Sequence, residues 1–160
     1  MAWPPLKRHR ALQPFSREHM GGLVQARQLS RAVDEPVIRQ GVIDDFLEVW
    51  EAEIRPHFDD EERLLVEMIH READRNRLIT EHREIRGLVG EIEQLKDAAS
   101  VGADRLGRLG RLLHDHIRWE ERVLFEEIQS AASDEDLEGL EDATAEIERT
   151  RPGSCARRRL

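Results

Sequence analysis

The chain has 160 residues, enough for a single domain with a buried core. Charged residues make up 37% and aromatics 4%, with no Tyr, a balance that suits helices and argues against a β-rich fold. The net charge of −9 excludes the basic face a nucleic-acid binder needs, and no apolar run approaches a membrane span.

Residues 1–13 read as a flexible segment. Met1 to Arg10 is basic and proline-interrupted, without the apolar stretch of a signal peptide, so a cytoplasmic protein is expected. Ser16 can cap a first helix after Pro14, with apolar positions Phe15, Leu23, Ala26, Leu29 and Val33. Asp34-Glu35-Pro36 ends it, because the residue before proline disfavours the α conformation. A second helix carries Ile43, Leu47, Trp50, Ile54, Leu64, Leu65 and Met68, and Pro56 predicts a kink just before His57. A polar break around Arg71–Arg75 leads to a third helix with Leu78, Ile85, Val89, Ile92 and Leu95. Ala98–Gly102 separates it from a fourth helix with Leu109, Leu113, Val123 and Leu124. The domain expected over residues 14–132 is thus an all-α, antiparallel up-down four-helix bundle. Ser133 opens a short acidic C-terminal helix over 133–150 that covers one side of the bundle or mediates self-association. Residues 151–160 read as a disordered basic tail. Its single Cys155 permits no disulfide framework.

A nine-residue pattern, His-x-x-x-Glu-Glu-Arg-[Leu/Val]-Leu, occurs twice, as His57–Leu65 and His116–Leu124. Each copy follows a Glu-His doublet, Glu18-His19 and Glu81-His82. The chain therefore reads His19 … His57-x-x-x-Glu61 … His82 … His116-x-x-x-Glu120, a half-unit stated twice. Two residues at one height on consecutive antiparallel helices have their turn near the sequence midpoint. Those midpoints fall at residue 38, between Ile69 and His70, and at Ala99 in Ala98–Gly102, in agreement with the turns read from the breakers.

The six residues also occupy apolar slots. His57 and Glu61 continue the stripe 43, 47, 50, 54, and His116 and Glu120 continue 109, 113; His82 and His19 fall on stripes of their own helices. Buried carboxylates without partners cost several kcal/mol each, so something must compensate. Residues four apart share a helix face, so each His/Glu pair can present a nitrogen and an oxygen to one point. Four imidazoles and two carboxylates supply ligands for two metal ions, with the carboxylates bridging; Fe, Mn and Zn all suit such a set. A purely structural network of buried His/Glu ion pairs is the rival reading.

At these residues the chain resembles the hemerythrin-like, HHE cation-binding family, over roughly residues 14–130. His19, His57, Glu61, His82, His116 and Glu120 match its ligand pattern, and His116–Phe125 is like its last-helix signature. The resemblance implies two non-haem Fe ions bridged by Glu61, Glu120 and an oxo or hydroxo group. It further implies a small ligand, O2, peroxide or NO, and leaves peroxide-decomposing or oxidase-type activity open. An iron-handling or redox- and O2-sensing module, in which occupancy controls partner binding, is the alternative. The chain departs from oxygen-carrying hemerythrins at Leu78, where they have an additional histidine, and at Glu120, where they have Asp at a five-residue step. A more open site favours turnover with peroxide or NO over O2 storage.

His9, His70 and His114 read as surface residues. Glu62 and Glu121 turn about 100° from the ligands beside them, so solvent or nearby Arg is expected to take them, with support of the ligands as the alternative. Trp50, Phe58, Trp119 and Phe125 are packing candidates, Trp119 also a candidate for lining access to the site.

Overall fold

A computed structural model describes residues 7–151. Helix α1 spans Gln13–Asp34. It starts before Ser16 because the Leu12 and Gln13 N–H groups bond the His9 carbonyl, and Pro14 presets the first turn, so Ser16 sits inside the helix instead of capping it. Glu35 leaves the α conformation before Pro36, as expected, and a short turn at Pro36–Ile38 follows.

Helix α2 runs through Arg39–Val49, a π-helical turn at Trp50–Ile54 and then Arg55–Leu64. The kink expected at Pro56 takes this form. The Arg55 N–H bonds the Trp50 carbonyl, and Pro56 falls in the first turn of the following segment, where a helix tolerates proline best. The next reversal uses the turn Val66–Met68 and extended Ile69 and Arg71, earlier than the polar break suggested. Helix α3 spans Glu72–Leu95, with Glu72 and Asp74 at its positive end; these polar residues begin a helix.

Helix α4 comprises Ala98–Trp119, a second π turn at Glu120–Leu124 and Phe125–Ala131. Asp97 caps it by accepting from the Ser100 N–H at 2.9 Å, and Gly102, at φ 76°, kinks its first turn with a conformation open to glycine. No proline marks the second π turn. It advances the apolar stripe by one residue, so that Val123 is exposed while Leu124 and Phe125 are buried. Helix α5 spans Asp134–Thr150 and starts as expected, with Ser133 accepting from the Asp136 N–H at 3.1 Å.

The apolar core is in two pieces. An upper cluster holds Leu29, Phe46, Trp50, Phe58, Ile85, Ile92 and Leu109. A lower one holds Leu12, Phe15, Leu65, Leu78, Leu124 and Phe125, closed by Leu137 and Leu140 of α5. Phe15 to Ala26 climbs on α1, Ile43 to Leu65 descends on α2, Leu78 to Ile85 climbs on α3, and Leu113 to Leu124 descends on α4. The chain is an all-α, antiparallel up-down bundle with one added helix. Among the described residues, no helix is long and apolar enough to cross a membrane.

The described residues at both ends of the bundle pack against it. Ala11 and Leu12, in the segment read as flexible, are fully buried because they fill the lower cluster beside Phe15. Arg151, assigned to the loose tail, is paired with Glu18 and Asp60. Residues 1–6 and 152–160, with Cys155 and the terminal arginines, lie outside the described residues.

Helix spacing gives a first test. A Cβ at Gly110 would meet the Ala26 carbonyl oxygen at 3.0 Å and the Ser30 nitrogen at 3.2 Å, both backbone atoms of α1. Gly110→Ala is therefore expected to push α1 and α4 apart and to destabilise by about 1–3 kcal/mol. Gly87, within α3, has nothing within 4 Å of such a Cβ. Gly87→Ala should instead stabilise by about 0.5–1 kcal/mol. Urea unfolding of both variants checks the opposite signs.

Candidate metal centre

Between the two apolar clusters lies one polar layer. His19, His57, Glu61, His82, His116 and Glu120 are all buried, at 5% exposure or less. One convergent group is His19, His57, Glu61 and Glu120; a second is Glu61, His82, His116 and Glu120; both carboxylates are common to the two. The Glu61 Oε1 lies 2.7 Å from His57 Nε2 and 3.4 Å from His19 Nε2, and its Oε2 lies 3.1 Å from His82 Nε2. Glu120 mirrors this, with Oε1 3.1 Å from His116 Nε2 and Oε2 3.0 Å from His19 Nε2. All six residues singled out in the sequence thus meet in one layer.

Each imidazole is turned inward by a carboxylate behind it. His57 Nδ1 donates to Glu18 at 2.6 Å, His82 Nδ1 to Glu62 at 2.8 Å, His116 Nδ1 to Glu81 at 3.0 Å and His19 Nδ1 to Glu121 at 2.7 Å. In every case the histidine sits on one helix and its carboxylate on the preceding helix of a closed ring, α1 to α2 to α3 to α4 to α1. Glu62 and Glu121 therefore do more than face solvent or pair with arginine. A residue next to an inward-pointing one is turned about 100°, toward the seam with the neighbouring helix, where that helix's histidine waits. Glu18 and Glu81 have the same place, and the repeated Glu-His and Glu-Glu doublets were the only sequence trace of the ring.

Aromatic rings brace the layer. Phe58 stacks on His82 at 3.9 Å between centroids, and Phe125 stacks on His19 at 5.3 Å. Trp119 packs near His116 and under Arg77. His70 and His114 are exposed, as expected, whereas His9 is half-buried and accepts the Ala11 N–H at 3.1 Å.

The donor set fits metal ions better than an ion-pair network. With Nδ1 donating to a carboxylate, each Nε2 is left to present a lone pair. His82 Nε2 and His116 Nε2 face each other at 3.1 Å, a pair of lone pairs that a shared proton or a metal ion can satisfy. Neither oxygen of Glu61 or Glu120 has a hydrogen-bond partner among the described residues, despite the close imidazole nitrogens. The contacts are short but the angles are not those of hydrogen bonds, because the atoms aim at shared points between them.

Proton binding shows the competing state. Burial pushes His57 and His116 down, but Glu61 and Glu18 hold His57 at about 9, and Glu120 and Glu81 hold His116 at about 10. His19 is likewise raised well above its ordinary value, against burial, by Glu120, Glu121 and Glu61. The His82 hydrogen bond takes Glu62 down to about 2, and Glu121 reaches about 2 as His19 overcomes its burial. For metal-free protein, the histidine contribution to stability is complete below about 6.5 and disappears as pH rises through 9 to 10. The contribution of Glu62 and Glu121 is complete above about 4.5 and disappears as pH falls toward 2. The melting temperature of metal-free protein is therefore expected to peak between about pH 4.5 and 6.5 and to sag through pH 9–10. Metal must displace the same imidazole protons, so its affinity should rise with pH over that alkaline range. Circular dichroism melts across pH, with and without metal, check both statements.

The family model for the hemerythrin HHE cation-binding domain matches residues 10–128, and a second, overlapping match covers residues 76–152. No curated protein and no solved structure gives a significant match. The two matches together span all four bundle helices, the first alone contains the six converging residues, and the chain belongs to the hemerythrin HHE cation-binding family.

Proposed function

We propose that the polar layer holds two non-haem iron ions and that this centre binds or reacts with O2, peroxide or NO. His19 and His57 would hold one ion, His82 and His116 the other, with Glu61 and Glu120 shared. The observation that carries this reading is the pair of buried carboxylates whose four oxygens lack hydrogen-bond partners while four inward-turned Nε2 atoms surround them. Iron bound there supplies exchangeable coordination positions and a ferrous/ferric couple for a small ligand.

The chain's own residues shape what can reach it. Glu18, Glu62, Glu81 and Glu121 hold the Nδ1 protons and so raise the basicity of each Nε2. The two apolar clusters exclude water from above and below. A small apolar cleft lined by Gly22, Ile54, Phe58, Leu113 and Ile117 reaches His19 and His57, with about 10 Å³ of space, room for little more than one water-sized molecule. Leu78 is fully buried in the lower cluster, so α3 gives the layer one imidazole and the site stays more open than a five-histidine one. That openness supports reaction over stable O2 storage.

Metal content by mass spectrometry, on protein expressed with adequate iron and purified without a metal-binding tag, tests the reading. Near two irons per chain is the expected result. Little or no metal after anaerobic iron loading would overturn it and leave a structural ion-pair network. With iron in place, peroxide consumption would favour turnover, and a reversible O2 spectrum without turnover would favour a carrier.

A further inference from the structure

The four outer carboxylates are themselves held by arginines, and these come from two different parts of the chain. Glu62 accepts from Arg86 Nη1 at 2.6 Å, and Glu81 from Arg77 Nε at 3.0 Å. Both arginines belong to α3, so the supports behind His82 and His116 lie within the bundle. Glu121 instead accepts from Arg8 Nη2 at 3.0 Å, ahead of α1, and Glu18 from Arg151, beyond α5. The supports behind His19 and His57 thus depend on the flanks of the bundle.

Of the two flanking arginines, Arg151 makes more hydrogen bonds to its carboxylate, three to Glu18 against one from Arg8 to that of Glu121. Its backbone N–H bonds the Ile147 carbonyl at 2.8 Å, which fixes it to the last turn of α5. Its Nε and Nη2 donate to Glu18 Oε1 at 3.1 and 2.7 Å, Nη2 also reaches Glu18 Oε2 at 3.0 Å, and Nη1 lies 2.8 Å from Asp60 Oδ2. A forked guanidinium contact fixes the orientation of a carboxylate as well as its charge. Glu18 Oε2 is the same oxygen that accepts from His57 Nδ1. The helix that delivers Arg151 is seated by Leu137 and Leu140 in the lower cluster and by the Arg17–Glu148 ion pair on α1.

We propose that Arg151 is a positioning residue for the metal position at His19 and His57, and that the docking of α5 sets metal affinity there while leaving the His82/His116 position alone. This rests on the dinuclear reading above. Without the guanidinium, Glu18 loses the fork that holds it against His57, and the imidazole loses its fixed aim at Glu61 and the shared site. Loss of a group directly behind a metal ligand typically lowers affinity by about 10–100-fold, and Arg151 acts one step further out, so about tenfold is expected. The two positions, alike in their ligands, become unequal in their control. The half that the apolar cleft reaches is the one answerable to the C-terminal helix.

Titration of the metal-free protein with Co2+, followed by visible absorption and calorimetry, tests this. Arg151→Ala is expected to weaken one of two Co2+ equivalents about tenfold and to leave the other unchanged. In a His82→Ala background, which retains the His19/His57 position, Arg151→Ala should weaken the remaining Co2+ by the same factor. In a His57→Ala background it should have no effect, and Arg86→Ala should show the reverse pattern. Equal weakening of both equivalents, or two equivalents untouched by Arg151→Ala, would overturn the proposal and leave the dinuclear reading standing. Wild-type protein that takes up no Co2+ would overturn that reading, and this inference with it.

Discussion

Replacing Glu61 by Ala is expected to take bound metal from about two ions per chain to near zero, whereas His57→Ala should leave about one. The difference follows from what each side chain faces. Glu61 turns Oε1 toward His57 and His19 and Oε2 toward His82, so one carboxylate serves both groups. Its loss leaves each group with two imidazoles and Glu120. His57 belongs to one group only, and its removal leaves Glu61, His82, His116 and Glu120 intact around the other. Glu120→Ala should follow Glu61→Ala, because its oxygens are divided between His116 and His19. Mass spectrometry of the purified variants gives the stoichiometry. Equal loss in Glu61→Ala and His57→Ala would show that the layer does not divide into two positions with shared carboxylates.

Stripping the metal with a chelator is expected to lower the melting temperature by roughly 20 °C. An ion present at a thousandfold excess over its Kd stabilises by about 4 kcal/mol, so two contribute about 8 kcal/mol. For a chain of this size each kcal/mol moves the melting temperature by roughly 2–4 °C. The layer is vulnerable because Glu61, His82, His116 and Glu120 are wholly buried and the carboxylates have no other donors among the described residues. Imidazolium protons offset part of the loss, and they do so least above pH 9, where the drop should be larger. Calorimetric scans before and after chelation, at pH 6 and pH 9.5, measure it. A shift of only a few degrees at both would mean that the layer is satisfied by protons alone.

The turns show how far local pattern carries. For the α2–α3 reversal, the midpoint of His57 and His82 fell at Ile69 and His70, inside the observed Val66–Arg71 connection, while the polar break at 71–75 was misplaced. The midpoint succeeds because two residues in one layer fix equal lengths of helix on either side. Composition misleads there because Glu72 and Asp74 are polar for the sake of a helix N-terminus. On α4 the periodic stripe was right as far as Glu120 and then slipped by one, since the π turn at Glu120–Leu124 has no proline or glycine to announce it. Pro56 did announce the π turn of α2, though the distortion settled ahead of it at Trp50–Ile54.

What the sequence by itself determined was the set of elements and the six inward residues. Helical periodicity is a property of neighbours along one chain, so a histidine and a glutamate four apart on an apolar stripe are legible without a fold. The family resemblance also rested on those residues, and the match over residues 10–128 agrees with it. The ring of supports was a matter for tertiary structure alone. Which glutamate holds which imidazole depends on the rotation of each helix against its neighbour, and that rotation is set by core packing and by π turns. Arg8 and Arg151 are further still from any local signal, since each reaches its carboxylate from a segment seated by the lower apolar cluster, through Leu12 on one side and Leu137 and Leu140 on the other.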